Sequence, residues 1–368
     1  MNILHLYKDY HPILGGIENH IKMLAEAQAA AGNQVTVLVT DPDRLPGRET
    51  IHGVQVIRTR RWATVASTPL TLGFVPILAR ASQDMIHLHF PYPVGEISQW
   101  LAGRGRPYVI TYHSDVVRGS QQAFLRLYRP LLWNVLRRAA AILVTSREYA
   151  ASSPFLAKLA GKVKLAPLGV DPAPFLEAVP LIPHRGRPVL LFVGRHRYYK
   201  GVDDLIRALP ETGADLLVGG DGPRRSEWER LAGGLGLGER VRFLGDVPAA
   251  DLPGLYASAD VFVLPANARA EAFGTVLLEA MASGLPCITT RLGTGTSYVV
   301  QDGLTGLVVP PHDPPALAGA INRLLADPAL ARRMGAAGRE RVLQEFTLEK
   351  MVARVDQIYR ELLTDRSS

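Results

Sequence analysis

Two acids, Glu271 and Glu279, bracket seven residues in the stretch EAFGTVLLEAMASG (Glu271–Gly284). Most of the residues between them are apolar, with Gly274 near the start and Ser283-Gly284 at the close. A buried, unpaired carboxylate costs several kcal/mol or gives up its charge, so each acid needs solvent or a polar neighbour. The pattern predicts a helix that starts near Gly274 or Thr275 and ends at Ser283-Gly284. Glu271 then sits in the loop before it and Glu279 within it. At 1.5 Å per residue the step between the acids spans about 12 Å. A ligand with hydroxyls at both ends and a diphosphate in the middle could use both acids, with the helix N-terminus between them serving the phosphates.

Other residues suit the same chemistry. FVGRHRYYKG (Phe192–Gly201) places Arg195 and Lys200 in a loop at the carboxyl end of a strand. Such a loop can simply be solvated. Yet α/β sheets bind ligands there, and a forked guanidinium with a mobile ammonium suits a diphosphate. GGDGP (Gly219–Pro223) also follows a strand, and its Asp221 could accept from a hydroxyl or cap the next helix. Gly15-Gly16 lies between the first strand and a helix, as a tight turn or as a phosphate cradle. It is not G-x-G-x-x-G, and no G-x-x-x-x-G-K-[ST] occurs. In ITYHSD, His113 and Asp115 end another strand, and His113 could be structural or could donate to a sugar hydroxyl or phosphate. No G-x-S-x-G elbow supports a serine hydrolase. His87 and His89 in MIHLHF alternate as metal ligands can, but a strand of this kind more often carries buried, hydrogen-bonded histidines.

The elements that must position these residues follow a recurring order of short apolar strand, glycine-containing turn and amphipathic helix. Predicted strands are Asn2–Tyr7, Val35–Thr40, Met85–His89, Tyr108–Tyr112 and Ala141–Thr145, with a helix over Ile17–Ala31 ended by Gly32. The Pro-rich segment Glu177–Pro188 reads as a linker. The unit then restarts with strands Val189–Val193, Ala214–Val218, Arg240–Leu244, Val261–Leu264 and Cys287–Thr290, and a helix over Val202–Leu209. The tail, Leu317–Leu363, is helical by pattern. Alternating strands and helices imply an α/β protein with two doubly wound, Rossmann-like halves facing an interdomain cleft.

Bulk properties agree with a globular chain of two domains: 368 residues, 47% hydrophobic and 20% charged. The lone Cys287 excludes an internal disulfide and a multi-cysteine metal site, and reads as a small buried apolar residue. The start, MNILHLYKDYHP, lacks the apolar run of a signal peptide, and no run reaches the length of about eighteen apolar residues that spans a bilayer. The expectation is a soluble, cytoplasmic protein. A net charge of +7 permits attraction to phosphates, nucleic acid or anionic membranes without choosing among them.

Taken together, these residues resemble a family 4 glycosyltransferase of the GT-B fold, over essentially the whole chain. The most specific element is E-x7-E, here Glu271 and Glu279, supported by GGIE, PLGVD (Pro167–Asp171), FVGRHRYYKG and FLGDVP (Phe243–Pro248). The resemblance implies retaining transfer of a hexose such as glucose or mannose from a UDP- or GDP-linked donor to an acceptor hydroxyl, in polysaccharide or glycolipid biosynthesis. It implies that Arg195 and Lys200 grip the diphosphate, Glu279 accepts from ribose hydroxyls, and Glu271 contacts donor-sugar hydroxyls. The backbone of Ala272, Phe273, Gly274 and Thr275 would line the sugar and phosphates. Gly245 and Val247 would lie near the base, Gly15 and Gly16 near the distal phosphate, and His113 at the donor sugar. It implies no metal and no cofactor beyond the donor. The expected domains are 1–180, with a C-terminal helix of about 347–368 packing back on it, and 188–346 for the nucleotide sugar. PANARA, before Glu271, is no donor consensus.

AFLRLYRPLLWNVLRRAA (Ala123–Ala140) sets Arg126, Arg129, Arg137 and Arg138 beside Leu, Trp and Tyr. It is either a core-facing helix with a solvated basic face or a peripheral contact with the inner face of a membrane carrying a lipid-linked saccharide acceptor. A nucleotide-sugar epimerase of the same two-domain fold is the alternative reading. A dehydrogenase lacks its glycine fingerprint, and no basic run with interleaved aromatics supports a nucleic-acid module.

Overall fold

The computed structural model describes residues 1–13, 15–43, 45–65, 67–103, 105–115 and 122–365, with the backbone alone over 122–127. The chain forms two compact units, Met1–Leu168 with Leu348–Ser368, and Gly169–Thr347.

Unit 1 runs β1 (Asn2–Leu6), α1 (Gly16–Ala30), β2 (Gln34–Asp41), β3 (Gly47–Ile51), β4 (Val54–Arg60), β5 (Ala63–Val65), β6 (Thr68–Leu70) and α2 (Phe74–Ala79). It continues with β7 (Met85–Phe90), α3 (Pro93–Ala102), β8 (Tyr108–Tyr112), α4 (Gln122–Arg138), β9 (Ala141–Val144), α5 (Arg147–Ser152) and β10 (Val163–Leu165). The main sheet has the order β10-β9-β8-β7-β1-β2-β4-β3, parallel except at β3–β4. β7, β8 and β9 are buried along their whole length, as strands covered on both faces must be. Their largely apolar runs made them readable. β3 was not readable, because GRETI lies along the sheet edge with nearly every residue exposed. A turn at His52-Gly53, both with positive φ (46° and 82°), folds it against β4.

Unit 2 runs α6 (Ala173–Leu176), β11 (Val189–Val193), α7 (Val202–Ala208), β12 (Asp215–Gly219), α8 (Arg225–Gly234), β13 (Val241–Gly245), α9 (Leu252–Ala257) and β14 (Val261–Leu264). Then follow α10 (Thr275–Ala282), β15 (Cys287–Thr290), α11 (Thr296–Val299), β16 (Gly306–Val309), α12 (Pro314–Ala326) and α13 (Pro328–Glu345). The sheet order is β13-β12-β11-β14-β15-β16, all parallel. Counted from β11, that is the 3-2-1-4-5-6 order of a doubly wound sheet, which reverses direction between β11 and β14. Its last strand, β16, was not among the predicted strands.

The last helix, α14 (Leu348–Thr364), belongs to unit 1. Its Met351, Val355, Ile358 and Tyr359 pack with Ile3, Leu24, Met85 and Val109 in one core. Each such side chain contributes roughly 1.5–3 kcal/mol on burial. One boundary differs from expectation. Residues 169–180 group with unit 2 rather than ending the first domain at 180. The Val170 N–H donates to the Phe346 carbonyl at 2.9 Å, and Phe175 packs edge-on to Tyr256 with ring centres 5.7 Å apart.

Candidate active site

The switch point of unit 2 carries the first pair of site residues. The loop after β11 ends in a short turn, Tyr198–Lys200, and the loop after β14 leads to α10. The two loops are locked together. Gly201 has φ +65°, and a Cβ there would fall 2.0 Å from the Pro265 carbonyl oxygen. The Asn267 N–H also donates to the Tyr199 carbonyl at 2.9 Å. This brings Lys200 Nζ to 2.5 Å from Glu271 Oε2, with both residues buried, at 8% and 7% exposure. Among the described residues no further hydrogen bond reaches that oxygen. Burial opposes the charge on Lys200, but Glu271 and Tyr199 outweigh it and hold its pKa above the usual value. Arg195, in the same loop, is exposed and makes no ion pair among the described residues.

Gly274 opens α10. Its φ of +78° and ψ of 61° are left-handed, a conformation glycine takes without penalty, and a Cβ would press within 2.9 Å of Leu264 Cδ2. No side chain caps this helix, so its first turn keeps backbone N–H groups to offer. Ala272 and Thr275 are half-buried, whereas the Phe273 side chain is core, edge-on to Phe346. Glu279, on the second turn, is half-buried and accepts from the Tyr256 hydroxyl at 2.7 Å. Burial raises its pKa, against the lowering effect of that hydrogen bond.

The carboxylates were expected to be satisfied by ligand hydroxyls, or by water in an empty site. The fold instead gives each a protein partner, Lys200 for Glu271 and Tyr256 for Glu279. Nothing in the linear spacing pointed to Tyr256, which arrives from α9.

Further along the same sheet edge, Gly245 ends β13 and its carbonyl accepts from the Gly220 N–H at 2.8 Å. Val247 is half-buried just beyond. Asp221 does not occupy the cap position of α8, which is Arg224; its Oδ1 accepts from the Gly222 N–H at 2.6 Å. His196 is fully buried against Trp228, ring centres 4.8 Å apart, with neither ring nitrogen hydrogen-bonded among the described residues.

Unit 1 holds Gly15, Gly16 and His113. Gly15 precedes α1 in extended backbone, and a Cβ on it would strike the Glu18 carboxylate. A Cβ on Gly16 would meet open space. His113 follows β8 and is buried, with its Nε2 3.1 Å from His89 Nδ1. His20 of α1 lies edge-on to it at 5.2 Å. His87 and His89 are hydrogen-bonded core residues: His87 meets the Tyr359 hydroxyl at 2.5 Å and Thr111 Oγ1 at 2.6 Å. Ring nitrogens of His5, His87 and His89, and of His20, His89 and His113, do gather within 4.8 Å in each set.

On α4, Leu132, Val135 and Leu136 are buried in unit 1, while Arg129, Arg137 and Arg138 face solvent. The Arg126 side chain lies outside the described residues. No helix among the described residues is long and apolar enough to cross a membrane.

Residues 14–174 match the model for Glycosyltransferase Family 4, and residues 180–341 that for Glycosyl transferases group 1. The chain is 37% identical to the D-rhamnosyltransferase WbpZ of Pseudomonas aeruginosa, over 94% of this chain and 92% of that protein. It is 33% identical to the O-antigen chain mannosyltransferase C of Escherichia coli over the whole of both. The chain belongs to glycosyltransferase family 4. Solved structures agree on the fold of this glycosyltransferase. The sucrose-phosphate synthase of Thermosynechococcus elongatus superposes with a TM-score of 0.81 at 29% identity, covering 99% of each chain. Anabaena HepE, solved with UDP and glucose, gives 0.77 at 20% identity over 98% of this chain and all of that one, a likeness of fold alone.

Of the expected site residues in the glycosyltransferase, Lys200 and Glu271 form the one ion pair among the described residues. Arg195, Gly245, Val247, Ala272–Thr275 and Glu279 share that sheet edge without an ion pair among them. The histidines behind His113 were not foreseen as a group. Their only sequence signal is alternation in β7, repeated at His5 in the paired position of β1.

Proposed function

We propose that this glycosyltransferase moves a hexose of the manno series from a GDP-linked donor to a hydroxyl of a saccharide or lipid-linked saccharide, with retention at the anomeric carbon. Two relatives aligned along nearly all of the chain are named for D-rhamnose, which is 6-deoxymannose, and for mannose. A GDP-mannose-dependent mannosyltransferase of Mycolicibacterium smegmatis, acting on a phosphatidylinositol monomannoside, is 40% identical over 182 residues. These names support the sugar, the nucleotide and the role in glycan assembly.

The observation that carries the reading is the buried Lys200–Glu271 pair at the sheet's switch point. Scission of a glycosyl phosphate leaves negative charge on the diphosphate. A fixed ammonium in a site sheltered from water stabilises that charge more in the transition state than in the ground state. Lys200 is such a group, oriented by Glu271, and Arg195 and the first-turn N–H groups of α10 add to it. Glu271 keeps a second oxygen for a sugar hydroxyl, and Glu279 can accept from the ribose. In the proposed step the C1–O bond to the diphosphate breaks and the acceptor oxygen bonds to C1 on the same face. The acceptor proton passes to the departing phosphate oxygen. No carboxylate nucleophile is required, unlike most retaining glycoside hydrolases, and the cationic residues supply the charge stabilisation without a required metal.

A thermal-shift series tests the reading. At a hundredfold excess over its Kd, GDP should stabilise the protein by about 2.7 kcal/mol, and UDP at the same concentration by less. The anomeric coupling in the NMR spectrum of the product should report retention. No shift with any nucleoside diphosphate would refute the assignment.

A further inference from the structure

Unit 1 contains a line of side chains that runs from the C-terminal helix to His113. Gln28 Nε2 donates to Asp356 Oδ1 at 2.6 Å. Gln28 Oε1 lies 2.8 Å from His5 Nε2, His5 Nδ1 lies 3.1 Å from His89 Nε2, and His89 Nδ1 lies 3.1 Å from His113 Nε2. Gln28, His5 and His89 are at most 1% exposed, and Asp356 and His113 are buried at 5% and 6%. The line crosses α14, α1, β1, β7 and the end of β8. None of these histidines is used in the transfer step proposed above, and only His113 was expected to face the donor sugar.

Donor and acceptor roles along such a line are not independent. A carboxylate only accepts, so the Gln28 amide must present its NH2 to Asp356 and its oxygen to His5. His5 then carries its proton on Nε2, which leaves Nδ1 bare to accept from His89 Nε2–H. His89 Nδ1 is in turn bare and accepts from His113 Nε2–H. A neutral imidazole has one proton, so His113 Nδ1 is left as a lone pair. Among the described residues that nitrogen has no partner.

We propose that Asp356, Gln28, His5 and His89 are positioning residues that fix His113 as the Nε2–H tautomer, so that its Nδ1 accepts a hydrogen bond from a hydroxyl of the sugar substrate. This rests on the glycosyl-transfer reading for the identity of the hydroxyl, but not for the tautomer. It also turns the expected role of His113 around. A bare Nδ1 cannot donate to a phosphate oxygen or to a carbonyl; it can only accept, as it would from a sugar hydroxyl. Reversing the line would set the Gln28 oxygen against the Asp356 carboxylate in a buried place. The cost of such an unsatisfied group favours the stated direction by at least about tenfold.

The two neighbouring histidines do not break the line. His87 is satisfied by Tyr359 and Thr111 and only stacks on His89, ring centres 4.3 Å apart. His20 approaches His89 and His113 edge-on, at 5.7 and 5.2 Å, and hydrogen-bonds neither.

The test is two-bond proton–nitrogen NMR on the full chain labelled in histidine, without ligand and at neutral pH, with His113 assigned by its loss in H113Q. The expected spectrum shows His113 protonated on Nε2 alone. In Q28M, His113 should become a mixture of tautomers, and kcat/KM should fall tenfold or more. D356N, in which the terminal group can also donate, should mix the tautomers too, and serves if Q28M does not fold. His113 protonated on Nδ1 in the native protein, as a cation held by His20, His89 and His113 would also require, overturns the proposal. So does a tautomer unmoved by both substitutions. The predicted tautomer in a protein inactive on every nucleotide sugar would support the relay and refute the transfer reading instead.

Discussion

Replacing Lys200 by Met removes its charge while keeping most of its length. At 2.5 Å, and with an effective dielectric of about 20, the gross attraction between Lys200 and Glu271 is about 7 kcal/mol. Desolvation of the two ions cancels much of that, so the net worth of the pair is small. Breaking it is another matter. K200M strands Glu271 at 7% exposure with no other hydrogen bond to the oxygen that faced the lysine. The cost should be about 3–5 kcal/mol. E271Q should also destabilise, because Lys200 is then buried alone. The double variant removes both charges and should regain most of the loss, with a coupling of at least about 2 kcal/mol. Transfer should be lost in K200M and in the double variant alike, since the ammonium proposed to meet the diphosphate is gone from both. Urea unfolding at neutral pH can isolate unit 2, because Trp228 is its sole tryptophan, the other three being Trp62, Trp100 and Trp133. Changing those three to Phe leaves a local probe. A cost below about 1 kcal/mol for K200M would refute the buried-pair argument, and a double variant with native turnover would refute the role of Lys200 in charge stabilisation.

Stability should fall as pH drops below 6.5. Burial lowers the pKa of His5 to about 4 and of His20 to about 3, so the unfolded chain binds more protons in the window below 6.5. Each such histidine costs about 1.4 kcal/mol per pH unit there. Glu96, pushed by burial from 4.5 to about 7, gives the opposite slope, because its folded form binds more protons between those values. The three together lose about 2 kcal/mol between pH 6.5 and 4.5; the lowered values of His87, His89 and His113 deepen the loss, and the burial-raised carboxyls of Glu18 and Glu279 offset part of it. Unfolding midpoints that stay flat over that window would contradict the neutral histidine core. Replacing Glu279 by Ala should raise the KM for the donor roughly tenfold, the weight of one lost charged hydrogen bond, with a smaller change in kcat; steady-state kinetics with an unchanged KM would remove it from the ribose site. Gly201→Ala should destabilise by more than about 2 kcal/mol, since φ is positive and the Cβ would meet the Pro265 carbonyl. A melting temperature within a degree of native would show that the two loops are free to separate.

The sequence was most legible where physical constraints act locally. Strands buried on both faces announce themselves as apolar runs, which is why β7, β8, β11 and β14 were placed within a residue. The acids of E-x7-E were legible as an anomaly, because two carboxylates in an apolar helix demand an explanation. What joined them to their partners was not legible. Lys200 meets Glu271 only because β11 and β14 are sheet neighbours, although far apart in the chain. Tyr256 reaches Glu279 through the packing of α9 against α10. The exposed β3 was missed for want of an apolar run, and the missing of β16 has no such reason, since the equally short β14 and β15 were read. The histidine line was illegible for the strongest reason, since its members come from five elements and are linked only by strand register and by α14.

The central claim is tested most directly by transfer itself. The purified chain, supplied with GDP-mannose or GDP-D-rhamnose and a saccharide acceptor, should release GDP and elongate the acceptor with the sugar in its original anomeric configuration. K200M should release at least about a hundredfold less, the loss expected when a main electrostatic stabiliser is removed. Failure to release a nucleotide from any sugar donor, or release that K200M matches, would contradict the account.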